Sequence, residues 1–258
     1  MLLENKNTVI YGGGGAIGGA VARALARQGA RVFLAGRTLA TLDRVAEEIS
    51  AVGGVAETAR VDALDETAVD EHVDAVAEKA GSIDISFNLI SYGDVQGTPL
   101  AGMTLGDFER PVMAAVRTQF LTSRAAARHM IGQGSGVILT FGGAGGRDPI
   151  RDYLSGGFQV YLGGFQVALG AIDVLRRQLA CELGPHGIRV VTLQSGGVPE
   201  TTREDWREAI TESFVGSSML KRAETLDDVG NVAALAASDL ARTMTATALN
   251  ITCGRVAD

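Results

Sequence analysis

Positive charge is scarce in this chain, and lysine is scarcer still. With 23 Lys and Arg against 30 Asp and Glu, the formal charge is −7 and the isoelectric point lies near 5.1. No nucleic-acid partner is expected, because binding a phosphate backbone needs a basic surface. Arg124 and Arg128 make one short basic helix face, which reads as solvated surface. Lys6, Lys79 and Lys221 are the only lysines, so lysine chemistry is confined to three places. Cys181 and Cys253 are the only cysteines, and they share no metal-ligand spacing with His72, His129 or His186; packed thiols are expected and no metal. No apolar run approaches the ~18 residues of a membrane span. The segment Met1-Leu2-Leu3-Glu4-Asn5-Lys6 has no basic stretch leading into a long apolar one. A soluble, cytoplasmic protein without a membrane partner is therefore expected.

Glycine, by contrast, is abundant at 34 residues, and its placement is informative. A β-rich run, Thr8-Val9-Ile10-Tyr11, ends abruptly in Gly12-Gly13-Gly14-Gly15 and passes into Ala16-Ile17-Gly18-Gly19. Ile17, Val21 and Leu25 then recur at steps of four, the stripe of an amphipathic helix that Gly29 closes. Val32-Phe33-Leu34 gives a second strand. Glycines suit such a turn because they accept positive φ and let the backbone approach a pyrophosphate. The helix N-terminus adds free N–H groups and a partial positive charge. Gly12, Gly15, Ala16, Ile17 and Gly18 are the candidate phosphate contacts.

The segment Tyr11-Gly12-Gly13-Gly14-Gly15-Ala16-Ile17-Gly18 resembles the Thr-Gly-x-x-x-Gly-x-Gly motif of the short-chain dehydrogenase/reductase family. Tyr11 replaces Thr and Ala16 replaces the second glycine. Further segments extend the resemblance over nearly the whole chain. They are Asp62-Ala63, Ser82-Ile83-Asp84-Ile85, Asn88 at the first position of the Asn-Asn-Ala-Gly motif, and Leu183-Gly184-Pro185-His186-Gly187-Ile188-Arg189-Val190. The resemblance implies one domain over 1–258, an α/β Rossmann-like doubly wound parallel sheet of about seven strands with helices on both faces. A length of 258 residues fits that reading. Strands are expected near Val55 to Val61, Ile83 to Asn88, Val137 to Phe141, Arg189 to Gln194 and Ala248 to Thr252. The resemblance also places Asp62 and Ala63 near the adenine and gives Asn88 a backbone-positioning role.

Cofactor choice turns on the end of the second strand. An acidic side chain there would accept hydrogen bonds from a ribose 2′-OH, but this chain has Ala35-Gly36-Arg37-Thr38. Arg37 offers a planar cationic fork suited to a 2′-phosphate, so NADP(H) is expected over NAD(H).

In the resembling family a Tyr and a Lys stand four residues apart on the helix before strand six, with a Ser after strand five and an Asn on the preceding helix. Here those positions fall on Phe165, Leu169, Gly142 and Ala115. None can donate a proton or lower a donor's pKa. Tyr161 is the candidate substitute, because a helix that starts early would put Tyr161, Phe165 and Leu169 on one face; the alternative is that Tyr153 and Tyr161 pack an enlarged loop. The segment after Gly142 also holds Arg147, Asp148, Arg151, Asp152 and Tyr153. Ser195-Gly196-Gly197-Val198 replaces the family's Pro-Gly turn, where backbone faces the nicotinamide, and Val198 is expected to keep that contact. Residues 199–220, with Trp206, Phe214 and Met219 amid charged residues, resemble the family's substrate lid, and a structural amphipathic helix is an equal reading.

Three functions remain open on the sequence. The first is an NADP(H)-dependent oxidoreductase acting on a small-molecule carbonyl or alcohol. The second is a non-redox enzyme of the same fold, a lyase, isomerase or cyclase using Asp148, Asp152 or Tyr153. The third is a catalytically silent nucleotide-binding protein. The resemblance implies a homo-oligomer, a dimer or tetramer, formed through the helices before strands five and six.

Overall fold

The computed structural model describes residues 1–143 and 161–257. Strand and helix alternate along the chain: β1 (Asn7–Tyr11), α1 (Ala16–Arg27), β2 (Arg31–Gly36), α2 (Leu39–Ala51), β3 (Val55–Arg60), α3 (Glu66–Ala80) and β4 (Ile85–Asn88). They continue as α4 (Leu105–Gln133), β5 (Gly136–Gly143), α5 (Gly164–Leu183), β6 (Ile188–Ser195), α6 (Glu204–Ser217), α7 (Leu226–Ala237) and β7 (Thr247–Asn250). The seven strands form one sheet in the order β3-β2-β1-β4-β5-β6-β7, and every neighbouring pair is parallel. This is the doubly wound sheet that the resemblance implies.

Side chains alternate across the sheet, and each face has its own core. Ile10, Leu34, Phe87, Leu139 and Leu193 pack under α1, α2 and α7. Val9, Phe33, Ile138 and Val190 pack on the other face under α3, α4 and α5. Burial on both faces is why these strands read as continuous apolar runs rather than as apolar-polar alternation. Local signals fix the helix starts. Thr104 accepts from the Asp107 N–H at the head of α4, and Thr225 and Asp228 make a capping box on α7. α1 and α7 approach closely: a Cβ on Gly230 would lie 2.7 Å from the Ala24 Cβ.

The basic face of α4 is an ion-pair surface. Arg124 binds Glu66 at 2.6 Å and Asp70 at 2.9 Å, and Arg128 lies 3.1 Å from Asp70. One expectation is corrected: Cys181 is not packed but exposed, because it lies on the outer side of α5, away from the buried positions Ile172, Arg176, Ala180 and Leu183. Among the described residues no helix is long and apolar enough to cross a membrane.

Candidate dinucleotide site

Strand order reverses between β1 and β4, and the carboxyl end of that junction is where a doubly wound sheet binds ligands. The glycine turn lies there. Gly12 adopts φ +77°, donates its N–H to the Ala35 carbonyl at 2.9 Å, and leaves no room for a side chain, since a Cβ would sit 2.5 Å from the Leu89 oxygen. Gly18 is tighter: its Cβ would lie 2.1 Å from the Gly12 oxygen. The first glycine makes the turn and the last lets α1 pack on it. Gly15 is the N-cap of α1, so Ala16, Ile17 and Gly18 present first-turn N–H groups at the positive end of the helix. The Tyr11 side chain points away into the α3 side of the core, edge-on to His72 with ring centroids 6.2 Å apart.

Arg37 is exposed at the end of β2. The start of α2 closes on the glycine turn, for a Cβ on Gly14 would lie 2.3 Å from Thr41 Oγ1, and Thr41 Oγ1 is itself bonded to the Thr38 carbonyl at 2.9 Å. Arg37 and the turn thus border one corner. Asp62 is exposed after β3, where its carboxylate caps the Leu64 N–H at 3.0 Å. Ala63 is buried in the α3 and α4 core, so a contact from it to a ligand comes from backbone. Asn88 is buried at the end of β4. It accepts from the Ile90 N–H at 3.0 Å and donates to Thr122 Oγ1 at 3.5 Å, an arrangement that shapes the loop rather than offering a free side chain. A glycine cradle that a Cβ would fill, a helix N-terminus and an exposed arginine at the end of the adjoining strand together fit a phosphorylated dinucleotide.

The positions beside this corner are apolar and closely packed. Ala115, Ala168 and Ile172 cluster with Tyr92, and Phe165 packs against them; the Phe165 and Tyr92 rings lie 6.3 Å apart at 45°. Burial raises the Tyr92 pKa and so keeps its hydroxyl protonated. Leu169, 7% exposed, fills the space beside Gly143, where a Cβ would come within 2.6 Å of Leu169 Cδ1. A Cβ on Gly142 would come within 2.9 Å of Thr192 Cγ2, and Thr192 pairs through its hydroxyl with Thr140 at 2.5 Å.

The early helix start is corrected. α5 begins at Gly164, after Gly163 adopts φ +52° and ψ −127°, a conformation open to glycine that stops helical continuation backwards. Gly164 is pinned as well, since a Cβ there would lie 2.0 Å from the Phe108 oxygen. Tyr161 therefore lies outside the helical repeat of Phe165 and Leu169. It is 41% exposed, and its carbonyl accepts from the Gly97 N–H at 2.9 Å. Arg147, Asp148, Arg151, Asp152 and Tyr153 lie outside the described residues.

Val198 is buried three residues after the end of β6, and its carbonyl accepts from Thr201 N at 2.9 Å and Thr201 Oγ1 at 2.8 Å. Just before it, Glu224 reaches across from the segment ahead of α7. Its carboxylate accepts from the Ser195 hydroxyl, from Gly197 N at 3.1 Å and from Gly196 N at 3.4 Å. Burial raises the Glu224 pKa to about 7 against the lowering effect of those hydrogen bonds and of Arg255. Residues 199–220 fold as a short 3-10 turn, Pro199–Thr201, followed by α6 and the stretch after it. Sequence reasoning missed Tyr92 and Glu224. Neither stands in a local motif, and both are brought in by the fold from distant segments. Among the described residues no group of three His, Cys, Asp or Glu side chains is placed to hold a metal.

Comparison with known proteins agrees with this geometry. Residues 14–255 match the sequence profile of the family described as enoyl-(acyl carrier protein) reductase. The chain is 30% identical over 258 residues to 3α-hydroxysteroid dehydrogenase of Mediterraneibacter gnavus, with 97% of each chain covered. It is 27% identical to a short-chain type dehydrogenase/reductase of Mycobacterium marinum, with a TM-score of 0.84 over 99% of this chain and 97% of that one. The fold is also that of an NAD⁺-bound xylitol dehydrogenase, with 23% identity and a TM-score of 0.84 over 97% and 99% of the two chains. On the glycine turn, the strand order and these matches, the chain belongs to the short-chain dehydrogenase/reductase family of oxidoreductases.

Proposed function

We propose that the chain transfers hydride between NADP(H) and a small-molecule carbonyl or alcohol, through an active site that departs from the family's Ser-Tyr-Lys pattern. The observation that carries this reading is the corner shared by the glycine turn and Arg37, which suits a dinucleotide bearing a 2′-phosphate. When bound, NADP(H) supplies the hydride chemistry. The chain's own residues do the rest: Gly12, Gly15, Ala16, Ile17 and Gly18 receive the phosphates, and Arg37 selects the 2′-phosphate. Asp62 and Ala63 border the adenine, Asn88 holds the loop, and Val198 meets the nicotinamide end. Parallel titrations with NADPH and NADH test this. Arg37→Ala is expected to weaken NADPH binding about tenfold or more, the worth of a charge-assisted contact, and to leave NADH nearly unchanged. Equal loss for both nucleotides would sink the assignment of Arg37, and no binding of either by the unmodified protein would sink the cofactor itself.

Tyr161 is the proton donor of this proposal, since Phe165 and Leu169 hold no transferable proton. In Tyr161→Phe, turnover of a carbonyl substrate is expected to fall about 10²-fold or more, with NADPH affinity unchanged. Unchanged turnover removes Tyr161 from the chemistry. A second reading, a nucleotide-binding protein without catalysis, is favoured by the closed packing of Leu169 on Gly143 and of Thr192 on Gly142. It is told apart by cofactor binding without turnover of any carbonyl or alcohol.

We further assign the chain to a homo-oligomer, a dimer or tetramer in the cytoplasm. Met113, Val116 and Phe120 make an exposed apolar stripe at steps of three and four on α4, and Val167 and Val174 stand exposed at a step of seven on α5.

A further inference from the structure

The turn after β6 is gripped from two sides. On one side Glu224 accepts from Ser195 Oγ, Gly196 N and Gly197 N. On the other, Arg255 Nη1 donates to the Gly196 carbonyl at 2.7 Å, while its guanidinium stacks on the Phe214 ring of α6, 3.7 Å from the centroid. Gly197 is held at φ +109°, and Phe214 closes on it so that a Cβ would meet the ring at 3.1 Å. Two adjacent glycines are the most flexible dipeptide a chain can place at a wall. A buried carboxylate, 3% exposed, removes that freedom by accepting from both N–H groups, the Gly197 N–H being shared with Ser195 Oγ at 2.9 Å, the hydroxyl that Glu224 itself holds. Burying a carboxylate is costly, and the hydrogen bonds that Glu224 accepts all come from this one turn, with the Arg255 charge close by.

We infer that Glu224 is a positioning residue for the nicotinamide end of the dinucleotide: it fixes the Ser195-Gly196-Gly197 turn in place of the rigidity that a proline gives the resembling family. Arg255 and Phe214 tie the same turn to α6, so the far wall of the site and the segment over it move together. The inference rests on the dinucleotide reading above and concerns only one end of that ligand.

Two ligands separate the ends: NADPH, and 2′-phospho-ADP-ribose, which lacks the nicotinamide. In Glu224→Gln the NADPH dissociation constant is expected to rise about tenfold, the effect of one charge-assisted hydrogen bond, while that of 2′-phospho-ADP-ribose stays within about twofold. Amide hydrogen exchange gives a readout free of ligand: the Gly197 N–H is expected to exchange about tenfold faster in the variant. Loss of affinity for both ligands alike marks a merely structural role and overturns the inference, as does unchanged Gly197 exchange. If the unmodified protein binds neither ligand, the dinucleotide reading fails and this role fails with it, a result distinct from the other two. Should Glu224→Gln not fold, Glu224→Asp withdraws the same oxygens by one methylene with the charge retained and serves the same comparison.

Discussion

Gly18→Ala is expected to abolish dinucleotide binding and to cost the protein several kcal/mol of stability, roughly 3 to 5, at the top of the range for point substitutions. The added methyl would stand 2.1 Å from the Gly12 oxygen, 2.8 Å from its carbonyl carbon and 3.0 Å from the Gly13 Cα. These are backbone atoms, and they cannot swing aside as a side chain does. Relief requires α1 to lift off the turn, but α1 is held from behind by α7 at Gly230 and Ala24. The turn would open instead, taking the first-turn N–H groups out of line. Gly15→Ala is the control. Its Cβ would meet only the Gly12 oxygen at 3.3 Å, and its φ of −79° suits alanine, so its cost, mainly that of a poorer N-cap, is expected to stay at about 1 kcal/mol or less. Thermal unfolding and NADPH titration of both variants decide the matter. Wild-type values for Gly18→Ala would falsify the close packing of α1 on the turn.

Leu169→Lys should be the second most damaging change, although lysine is what the resembling pattern places there. Leu169 is buried on the Gly143 backbone, with Ala168 and Ile172 beside it on α5 in the cluster around Tyr92. An ammonium at that point loses its hydration, and Phe165, Ala115 and Gly142 offer it no polar side chain, while the Tyr92 hydroxyl of the cluster brings no charge to balance it. The expected cost is about 3 to 5 kcal/mol. Leu169→Met, which keeps volume and polarity, is expected to cost less than about 1.5 kcal/mol. Urea unfolding of the pair measures the difference. If Leu169→Lys were as stable as Leu169→Met, the site would hold water or a polar partner for the lysine, and the apolar reading of this wall would have to go.

Both expectations rest on different degrees of legibility. The β1, glycine turn, α1 and β2 series was readable because each signal is local: a run of β-formers, a break in glycine, an apolar stripe at steps of four. Strand ends were readable only to within about two residues. β3 stops at Arg60 and not Val61, and β5 runs on to Gly143 past Phe141, because sheet pairing with β2 and with β6 sets those limits. Phe165, Leu169, Gly142 and Ala115 are departures only through the resemblance that aligns them, and what fills their surroundings is not written locally in the sequence. Tyr92, Thr192 and Gly143 come from three separate strands or loops. An early start of α5 would carry the four-residue rhythm back to Tyr161, but the backbone torsion at Gly163 interrupts it. Glu224 follows Lys221-Arg222-Ala223 with no motif to mark it, and only the fold turns its carboxylate inward.

The contact between Gly230 and Ala24 bears on how a ligand is received. Two helices that meet through small side chains have little slack between them, so the end of α1 proposed to face the phosphates is already in place when a ligand arrives. Association then spends little of its gross interaction energy on ordering the protein. The heat-capacity change on binding should accordingly reflect the surface that the ligand itself buries, not the folding of a loop around its pyrophosphate.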